Sequence, residues 1–439
     1  MNNFDFFFLF YNQQLLFWFS FALCVTVFLL LYKPYIINVL DPLLFSAIIT
    51  SFGASVVLFM YFTGSIKLYY LASYFLTQLA FILGIYLFKP FNSIKNSYQI
   101  KTLVIANSDF LLKLFFAVNS IIFILLQLQV YIVAGIPIFA SSRLDTYSGG
   151  SGFGLLSRFI DVTQIFSNTI LFYLIINKEI KSGLLFKIYL GFFAILLVLF
   201  SVLNGSKSGI LTVLYTAFTA WVFSFDISIN KMVASFIKKY KIAIFSFVVF
   251  IGLTVVMLQT DSTLNLNPIE ILGTRFIFAG DVYWYAYPND IIIGFYKYNG
   301  IKALFTDFLG LFRLESWDNL NGHFGIDLFN FHHVSNATSG PNARHNVFGL
   351  MYFGFGGSIL FSLVLGSFVG FIRNVLPILL PKNFLTMCIL SYLYIKVASS
   401  LDTDPILGVS YFDNLLVVTP TVTAIVLLIY FIVTKKSKT

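Results

Sequence analysis

Residues 346–371 read NVFGLMYFGFGGSILFSLVLGSFVGF, a run of 26 residues that carries no charged side chain. In an α-helix, roughly 20 apolar residues cross the hydrocarbon core of a bilayer. Apolar runs of this kind recur along the whole chain of 439 residues, of which 59% are hydrophobic and only 10% charged. The runs are continuous rather than alternating, which disfavours a transmembrane β-barrel. The sequence therefore predicts an all-α polytopic integral membrane protein.

Hydropathy predicts about eleven transmembrane helices. The predicted spans are residues 14–32, 43–63, 68–88, 110–134, 159–177, 184–203, 209–225, 242–259, 346–371, 384–400 and 414–433. Hydrophilic loops at 135–158 and 260–345 interrupt them. We therefore divide the chain into helices one to eight (1–259), the long loop (260–345) and helices nine to eleven (346–439). The first run has no basic segment before it, so we interpret it as a retained helix rather than a signal peptide.

The distribution of basic residues predicts the orientation. The C-terminal segment TKKSKT (434–439) places the C-terminus in the cytoplasm by the positive-inside rule. Counting back through eleven spans places the N-terminus and both hydrophilic loops outside. Sixteen of 21 lysines then lie inside, whereas five of six arginines lie outside: Arg143, Arg158, Arg275, Arg313 and Arg344.

Topology alone draws both basic residue types inward, so the outward arginines indicate another role. A guanidinium binds phosphate or carboxylate through two parallel hydrogen bonds and stays charged at any relevant pH. The alternative is that individual arginines pair with carboxylates such as Asp145, Asp281 or Glu315. The net charge of +9 is spread over short loops rather than clustered on one soluble face, so no nucleic-acid partner is expected.

Ionisable residues are nearly absent from the centres of the predicted spans. Asp161, Lys396 and Lys113 lie towards span ends. Ion-coupled transporters carry their charged sites near the bilayer midplane. The pattern therefore favours chemistry at the outer membrane face over ion-coupled transport.

Two outward-facing segments are rich in small and hydroxyl residues. FASSRLDTYSGGSGFGLLSRF (139–159) combines two arginines with four glycines, which let backbone N–H groups approach an anion. A flexible loop is the alternative. NGSKSG (204–209) contains Lys207, but it lacks the full spacing of a phosphate-binding loop and also fits a turn between helices.

Two further segments flank the predicted ninth span. GTRFIFAGDVYWYAYPND (273–290) holds Arg275 and Asp281 among aromatic residues that suit either an interfacial belt or a sugar-stacking surface. PNARHNVFGL (341–350) places Arg344 and His345 at the start of the helix, with Asn346 as a candidate cap. The partial positive charge of a helix N-terminus would add to an anion site at the outer interface. The other histidines match no metal motif, so no metal site is expected.

The segments 139–159 and 273–290, together with GPNARHNVFGLMYFGFGGSILFSLVLG (340–366), resemble the bacterial O-antigen or capsule repeat-unit polymerases, the Wzy family. The resemblance covers most of the chain and rests on short segments of arginine, glycine and aromatic residues. It implies an architecture similar to other glycosyltransferases that use lipid-linked donors (GT-C-like). It also implies a place in the bacterial inner membrane, with an active site that faces the periplasm.

The resemblance implies a reaction as well. Such proteins join oligosaccharide repeat units carried on undecaprenyl pyrophosphate, which is the leaving group, and they use no cofactor. On this hypothesis Arg344 and Arg275 hold the pyrophosphate, and His345 acts as general base or second anion ligand. A packing role for His345 is the alternative. The second-rank candidates for substrate binding are Arg143, Arg158, Arg313, Lys207 and Asp281.

The expected partners follow from the same resemblance. They are the lipid-linked oligosaccharide, membrane lipid, a chain-length regulator and other polysaccharide assembly proteins. Three alternatives stay open. The chain could be an O-antigen ligase that moves finished polymer onto lipid A core, a flippase or other transporter of lipid-linked oligosaccharides, or a membrane scaffold without catalysis.

Overall fold

A computed structural model describes residues 1–91, 109–139, 153–176, 183–204, 207–224, 268–295, 299–316, 324–333 and 340–436, with four single positions between 235 and 246. Within these ranges the chain is helical and contains no β-strand. Nine of the described helices are long and apolar enough to cross a membrane: Gln14–Tyr35, Pro42–Phe62, Leu68–Tyr86, Asp109–Phe139, Gly154–Ile176, Leu184–Leu203, His345–Leu379, Phe384–Thr403 and Pro405–Lys435. The chain is therefore a multi-pass membrane protein.

Nine of the eleven predicted spans coincide with these helices. The seventh, 209–225, is the shorter helix Lys207–Val222, whose apolar part is Leu211–Val222. The eighth, 242–259, lies outside the described residues apart from a single position.

We number the helices in chain order. They are α1 Asn3–Asn12, α2 Gln14–Tyr32, α3 Pro42–Phe62, α4 Leu68–Tyr86, α5 Asp109–Ala134, α6 Phe153–Ile176, α7 Leu184–Leu203, α8 Lys207–Val222, α9 Pro268–Ile277, α10 Asp281–Ala286, α11 Ile291–Phe295, α12 Gly300–Leu304, α13 Thr306–Leu311, α14 Phe324–His332, α15 His345–Asn374, α16 Leu376–Leu379, α17 Phe384–Tyr392, α18 Ala398–Thr403 and α19 Pro405–Lys436. A π-helical turn, Leu393–Val397, joins α17 to α18.

The chain folds into two compact units, each discontinuous in sequence. The first unit comprises Met1–Phe91, Leu266–Val375 and Lys396–Tyr411, and the second comprises Asn92–Asn265, Leu376–Ile395 and Phe412–Thr439. The described parts of the predicted long loop therefore belong with the first four helices.

Polar contacts join the helices of the second unit. Arg158 on α6 donates from Nη1 to Oδ1 of Asn414 on α19 at 2.5 Å. One turn further along α6, Asp161 accepts from the hydroxyl of Tyr392 at 2.9 Å. These contacts tie α6 to both α17 and α19.

The ninth predicted span, 346–371, overlaps a membrane-length helix, but it is not one continuous helix, because α15 reverses direction at Gly354. Gly354 has φ 68° and ψ −174°, a backbone conformation that favours glycine. The ring of Phe348 lies 5.4 Å from that of Phe361, although a straight helix would separate them by about 20 Å. Residues 345–353, the first limb, thus fold back against residues 355–374, the second limb.

The second limb packs closely against α4 because both helices carry glycine at the contact. A Cβ on Gly366 would lie 1.9 Å from the carbonyl oxygen of Phe81, and a Cβ on Gly84 would lie 2.4 Å from that of Leu363. Neither position has room for a side chain, so the two backbones touch directly. This contact fixes α15 relative to α4.

Another close approach holds the chain just before α15. A Cβ on Gly325, near the start of α14, would lie 1.7 Å from the carbonyl oxygen of Pro341. The two backbones are therefore in direct contact. This contact fixes α14 against the segment that leads into Arg344.

The aromatic residues of 273–290 are core residues. Tyr283, Trp284, Tyr285 and Tyr287 are each at most 1% exposed. Trp284 stacks on Phe6 of α1 with ring centroids 4.1 Å apart. In this structure these rings form neither an interfacial belt nor an open sugar-stacking surface.

Candidate functional site

Arg344 and His345 lie inside the first unit rather than at an interface. They are 3% and 0% exposed and stand at the start of the first limb of α15. The backbone N–H of Arg344 donates to the carbonyl oxygen of Thr403 at 3.0 Å. The ring of Phe81 packs edge-on against the imidazole at 4.8 Å. The sequence predicts that Arg344 and His345 lie at the outer interface, but the structure buries both side chains.

Asp402, at the end of α18, is the acidic centre of a buried polar cluster, whose other members are Thr50, Gln78, Arg344, His345 and Asn346. Its Oδ2 accepts from Oγ1 of Thr50 at 2.6 Å and lies 3.9 Å from Nη1 of Arg344. Its Oδ1 accepts from Nε2 of Gln78 at 3.3 Å and lies 3.7 Å from Nε2 of His345. Two neutral donors thus hold the carboxylate between the arginine and the histidine.

Asn346 joins the first limb to two other helices. Its Nδ2 donates to Oγ1 of Thr77 at 2.9 Å and to Oε1 of Gln78 at 3.3 Å. Its Oδ1 accepts from the hydroxyl of Tyr283 at 2.9 Å. The expected capping role is wrong, because this side chain contacts α4 and α10 instead of its own helix.

The cluster lies beside the middle of two helices that are long enough to span a membrane. At about 1.5 Å per residue, Gln78 lies about 15 Å from the first residue of α4 and about 12 Å from its last. Thr50 lies about 12 Å from the first residue of α3 and about 18 Å from its last. The centres of α3 and α4 carry no charged side chain of their own, but the first limb and α18 bring Arg344, His345 and Asp402 to that level.

Three polar atoms of the cluster are left unpaired. Nε of Arg344 and both ring nitrogens of His345 have no hydrogen-bond partner among the described residues, although Nη2 of Arg344 donates to the carbonyl oxygen of Ala279 at 2.7 Å. A buried unpaired polar group costs about 1–3 kcal/mol. Arg344 also has φ 29° and ψ 132°, a conformation that non-glycine residues rarely adopt. Unpaired buried polar atoms and strained backbone conformations are both typical of functional sites.

Asp281 adds a group that titrates near neutral pH. Burial raises the pKa of its carboxyl to about 7, while a hydrogen bond from the backbone N–H of Val282 and the charge of Arg344 oppose the rise. The N–H of Val282 lies 2.8 Å from Oδ1. Ionisation of Asp281 therefore places a second negative charge near the Arg344 guanidinium.

The structure distributes the other candidate residues elsewhere. Arg275 is exposed in the last turn of α9, and Arg313 is exposed after α13 with φ 51°. Arg158 belongs to the second unit. Lys207 begins α8, but its side chain and the whole of Arg143 lie outside the described residues. Of the predicted catalytic residues, the buried cluster contains Arg344 and His345 and leaves Arg275 on the surface.

The carboxylates considered as arginine partners behave differently from one another. Glu315 forms its ion pair with Lys302. Asp281 interacts with Arg344 electrostatically, and Asp145 lies outside the described residues. No group of three or more His, Cys, Asp or Glu side chains that could hold a metal ion occurs in the part of the chain that the structure describes.

Sequence reasoning missed Asp402, Thr50 and Gln78. Asp402 lies in ASSLDTDP (398–405), directly after the predicted tenth span. A carboxylate this close to an apolar run is costly unless it is paired, and that was the available signal. Thr50 and Gln78 gave no signal, because neutral polar residues are common within membrane helices.

Comparisons with models of known protein families, with curated proteins and with solved structures find no match. Function is therefore inferred from the sequence patterns and from the geometry around Asp402.

Proposed function

We propose that the protein is a polysaccharide polymerase that joins undecaprenyl-pyrophosphate-linked oligosaccharide repeat units of O-antigen or capsule at the periplasmic face of the bacterial inner membrane. The observation that carries the proposal is the buried group of Arg344, His345 and Asp402. Within the described part of the chain, Nε of Arg344 and both ring nitrogens of His345 have no hydrogen-bond partner, and the backbone of Arg344 is strained. The resemblance of the surrounding segments to the Wzy family supplies the substrate.

The proposed reaction forms one glycosidic bond and breaks one bond to pyrophosphate. A hydroxyl oxygen of one repeat unit attacks the anomeric carbon of the other, and undecaprenyl pyrophosphate leaves with the electron pair of the broken C–O bond. The leaving group needs charge stabilisation more than a proton. The unpaired Nε–H of Arg344 is a donor that can meet a pyrophosphate oxygen.

His345 takes the proton of the attacking hydroxyl in this mechanism. The unprotonated ring nitrogen of the neutral imidazole accepts this proton, and the resulting imidazolium would face Oδ1 of Asp402, now 3.7 Å from Nε2. Asp402 is thus a positioning residue that orients and stabilises the base. Because His345 is fully buried, the first limb must move to admit substrate, and Gly354 is the hinge that the fold provides.

The remaining arginines are assigned supporting roles. Arg275 and Arg313 are exposed in the first unit and suit contacts with the lipid-linked substrate as it approaches. Arg143, Arg158 and Lys207 stay second-rank candidates. A chain-length regulator, other assembly proteins and membrane lipid are the proposed partners.

The test is the lipopolysaccharide or capsule ladder of a strain that lacks the gene and is complemented with variants. Wild type should restore long chains, whereas Arg344→Lys and His345→Ala should leave single-repeat product at wild-type protein levels. Asp402→Asn should lower the rate at least ten-fold. Lys302→Ala, which breaks a peripheral ion pair, is the matched control and should restore the ladder. An unchanged ladder in the deletion strain would end the proposal.

The same strain separates polymerase from ligase. Loss of a polymerase leaves single-repeat lipopolysaccharide, whereas loss of a ligase leaves lipid-linked polymer with none attached to the core. Long polymer that accumulates on undecaprenyl pyrophosphate would therefore assign ligase activity.

A flippase is the second candidate, and one observation favours it. Charged groups beside the middle of membrane-length helices are typical of transport pathways. Proteoliposomes that contain the purified protein and a fluorescent lipid-linked oligosaccharide distinguish the two. Movement of the lipid across the bilayer without chain growth would favour the flippase.

A further inference from the structure

A hollow in the first unit, outside the membrane-length helices, has the composition of a carbohydrate site. Its volume is about 680 Å³. Ligand pockets in proteins usually measure about 300–1,000 Å³. The lining comes from the turn before α11, from α11 itself and from α14: Asn289, Asp290, Ile291, Gly294, Phe295, Asp327, Asn330 and Phe331.

The chemistry of the lining fits a polyhydroxylated ligand. Two carboxylates and two amides offer acceptors for hydroxyl protons, and the amides also offer donors. Phe295 and Phe331 pack at 5.2 Å, and Phe331 is 61% exposed. An exposed aromatic ring beside hydrogen-bonding groups suits a sugar, which has C–H faces and hydroxyl edges. The carboxylates disfavour a phosphate at this place.

The rim of the hollow is held in a strained backbone conformation. Asn289 and Asp290 both have φ 58°, which asparagine and aspartate tolerate better than most residues. Asp290 accepts a hydrogen bond from the hydroxyl of Tyr70 at 2.8 Å and forms an ion pair with Lys67. The hydrogen bond from Lys67 lowers the pKa of Asp290 below its usual value. Strain of this kind in two successive residues is typical of ligand-binding turns.

The hollow is connected to the buried cluster through α10. Tyr283 on α10 donates to Asn346 in the cluster, and Asn289 follows six residues later. The chain leaves α10 after Ala286 and turns at Asn289, which has φ 58°, and six residues span at most about 22 Å. A saccharide of a few rings bound in the hollow would therefore lie within reach of the groups around Arg344.

We propose that this hollow binds the glycan part of the substrate, away from its pyrophosphate. The assignment rests on the proposed function for the identity of the glycan, and it deepens that function by separating the site for sugar from the site for phosphate.

The test measures sugar binding directly. Purified full-length protein in nanodiscs is examined by saturation-transfer difference NMR with glucose, galactose, mannose, rhamnose and N-acetylglucosamine in turn. At least one sugar should give a signal with wild type. Phe331→Ala and Asn289→Gly should lower that signal at least three-fold. Asn289→Gly removes the amide while keeping the left-handed backbone, so it does not disturb the turn.

Ile293→Ala is the matched control, because Ile293 is 59% exposed on α11 and does not line the hollow. It should leave the signal unchanged. No signal from any of the five sugars, or equal signals from wild type and both hollow variants, would overturn the inference. Either result leaves the ladder test of Arg344 intact. Conversely, an unchanged ladder in the deletion strain together with a sugar signal would remove the polymerase and keep the sugar site.

Discussion

Helix α15 has a buried arginine at each end, and the two differ in how they meet their aspartates. Arg373 donates from Nη2 to both carboxylate oxygens of Asp41 at 3.0 and 2.9 Å. Arg344 approaches Asp402 only to 3.9 Å. Both arginines are 3% exposed, so burial does not distinguish them. The two arginines differ instead in the distance between the guanidinium and the carboxylate.

The carboxylate partners differ in the same way. Asp41 caps α3 by accepting from the backbone N–H of Leu43 at 3.0 Å, and its other oxygen accepts from the N–H of Ile37, before the helix, at 2.9 Å. Its ion pair with Arg373 is closed, with both oxygens used by the fold. Asp402 is held by side chains and faces an imidazole whose ring nitrogens have no hydrogen-bond partner among the described residues. A closed pair stabilises the structure, whereas an open pair leaves atoms for a ligand.

The largest effect is expected from truncating the closed pair. Arg373→Ala leaves Asp41 buried without its cation, which typically costs about 3–5 kcal/mol. Thermal unfolding in detergent, followed by tryptophan fluorescence, should show a large loss of stability. Arg344→Ala is the matched variant. It should lose much less, because Thr50 and Gln78 still hold Asp402 and an unpaired donor disappears. Equal losses of stability in the two variants would show that the two ion pairs stabilise the fold equally.

A smaller effect on stability is expected from a change of pH, and only near Arg344, where Asp281 lies. The folded-state pKa of Asp281 is about 7, above its ordinary value of 3.8, because burial disfavours the carboxylate. The folded state therefore favours the protonated form, and this stabilisation is lost as pH rises from about 4 to about 7. Wild type should melt at progressively lower temperature between pH 5 and pH 7.5.

Asp281→Asn keeps the shape and hydrogen-bonding capacity of the group but cannot ionise. The variant should show a flatter dependence of melting temperature on pH over the same interval. If wild type and variant have parallel pH profiles, another group is responsible for the titration, and the charge near Arg344 does not change near neutral pH.

The smallest effect on stability is expected from the Lys302–Glu315 ion pair, which lies near the surface. Lys302 and Glu315 have side chains 33% and 28% exposed. Partly exposed pairs of this kind are worth about 0–1 kcal/mol, because solvent screens them. Lys302→Ala should shift the melting temperature only slightly. A loss as large as that of Arg373→Ala would mean that the contact of Nη2 with both carboxylate oxygens is not what makes the Arg373–Asp41 pair stronger than the others.

The sequence predicted the features that depend on local composition. Continuous apolar runs identified nine helices that the structure also has, and the scarcity of charge drew attention to Arg344 and His345. The reversal at Gly354 escaped prediction, because three other glycines lie nearby in the same run and only the fold selects the one with positive φ. A continuous apolar run such as 346–371 is compatible both with one long helix and with two helical limbs that pack against each other.

Long-range pairing limited the prediction of the site. Asp402 and Arg344 are 58 residues apart in sequence, and Arg373 and Asp41 are separated by 332. Arg373 is the sixth arginine, which the eleven-span topology places inside, and nothing in its local sequence indicates its partner. Arg275 was grouped with Arg344 on the basis of charge and predicted side of the membrane, neither of which reports burial.

The contact between Gly325 and Pro341 has a practical consequence. It closes the chain segment 326–340 at its base, since the backbones of its two ends already touch. Lengthening a chain segment whose two ends are held costs little, because the entropy of closure grows only with the logarithm of its length. An epitope inserted between residues 336 and 337 should therefore leave both stems in place. Its accessibility to antibody in intact and permeabilised spheroplasts would report directly which face of the membrane this part of the chain occupies.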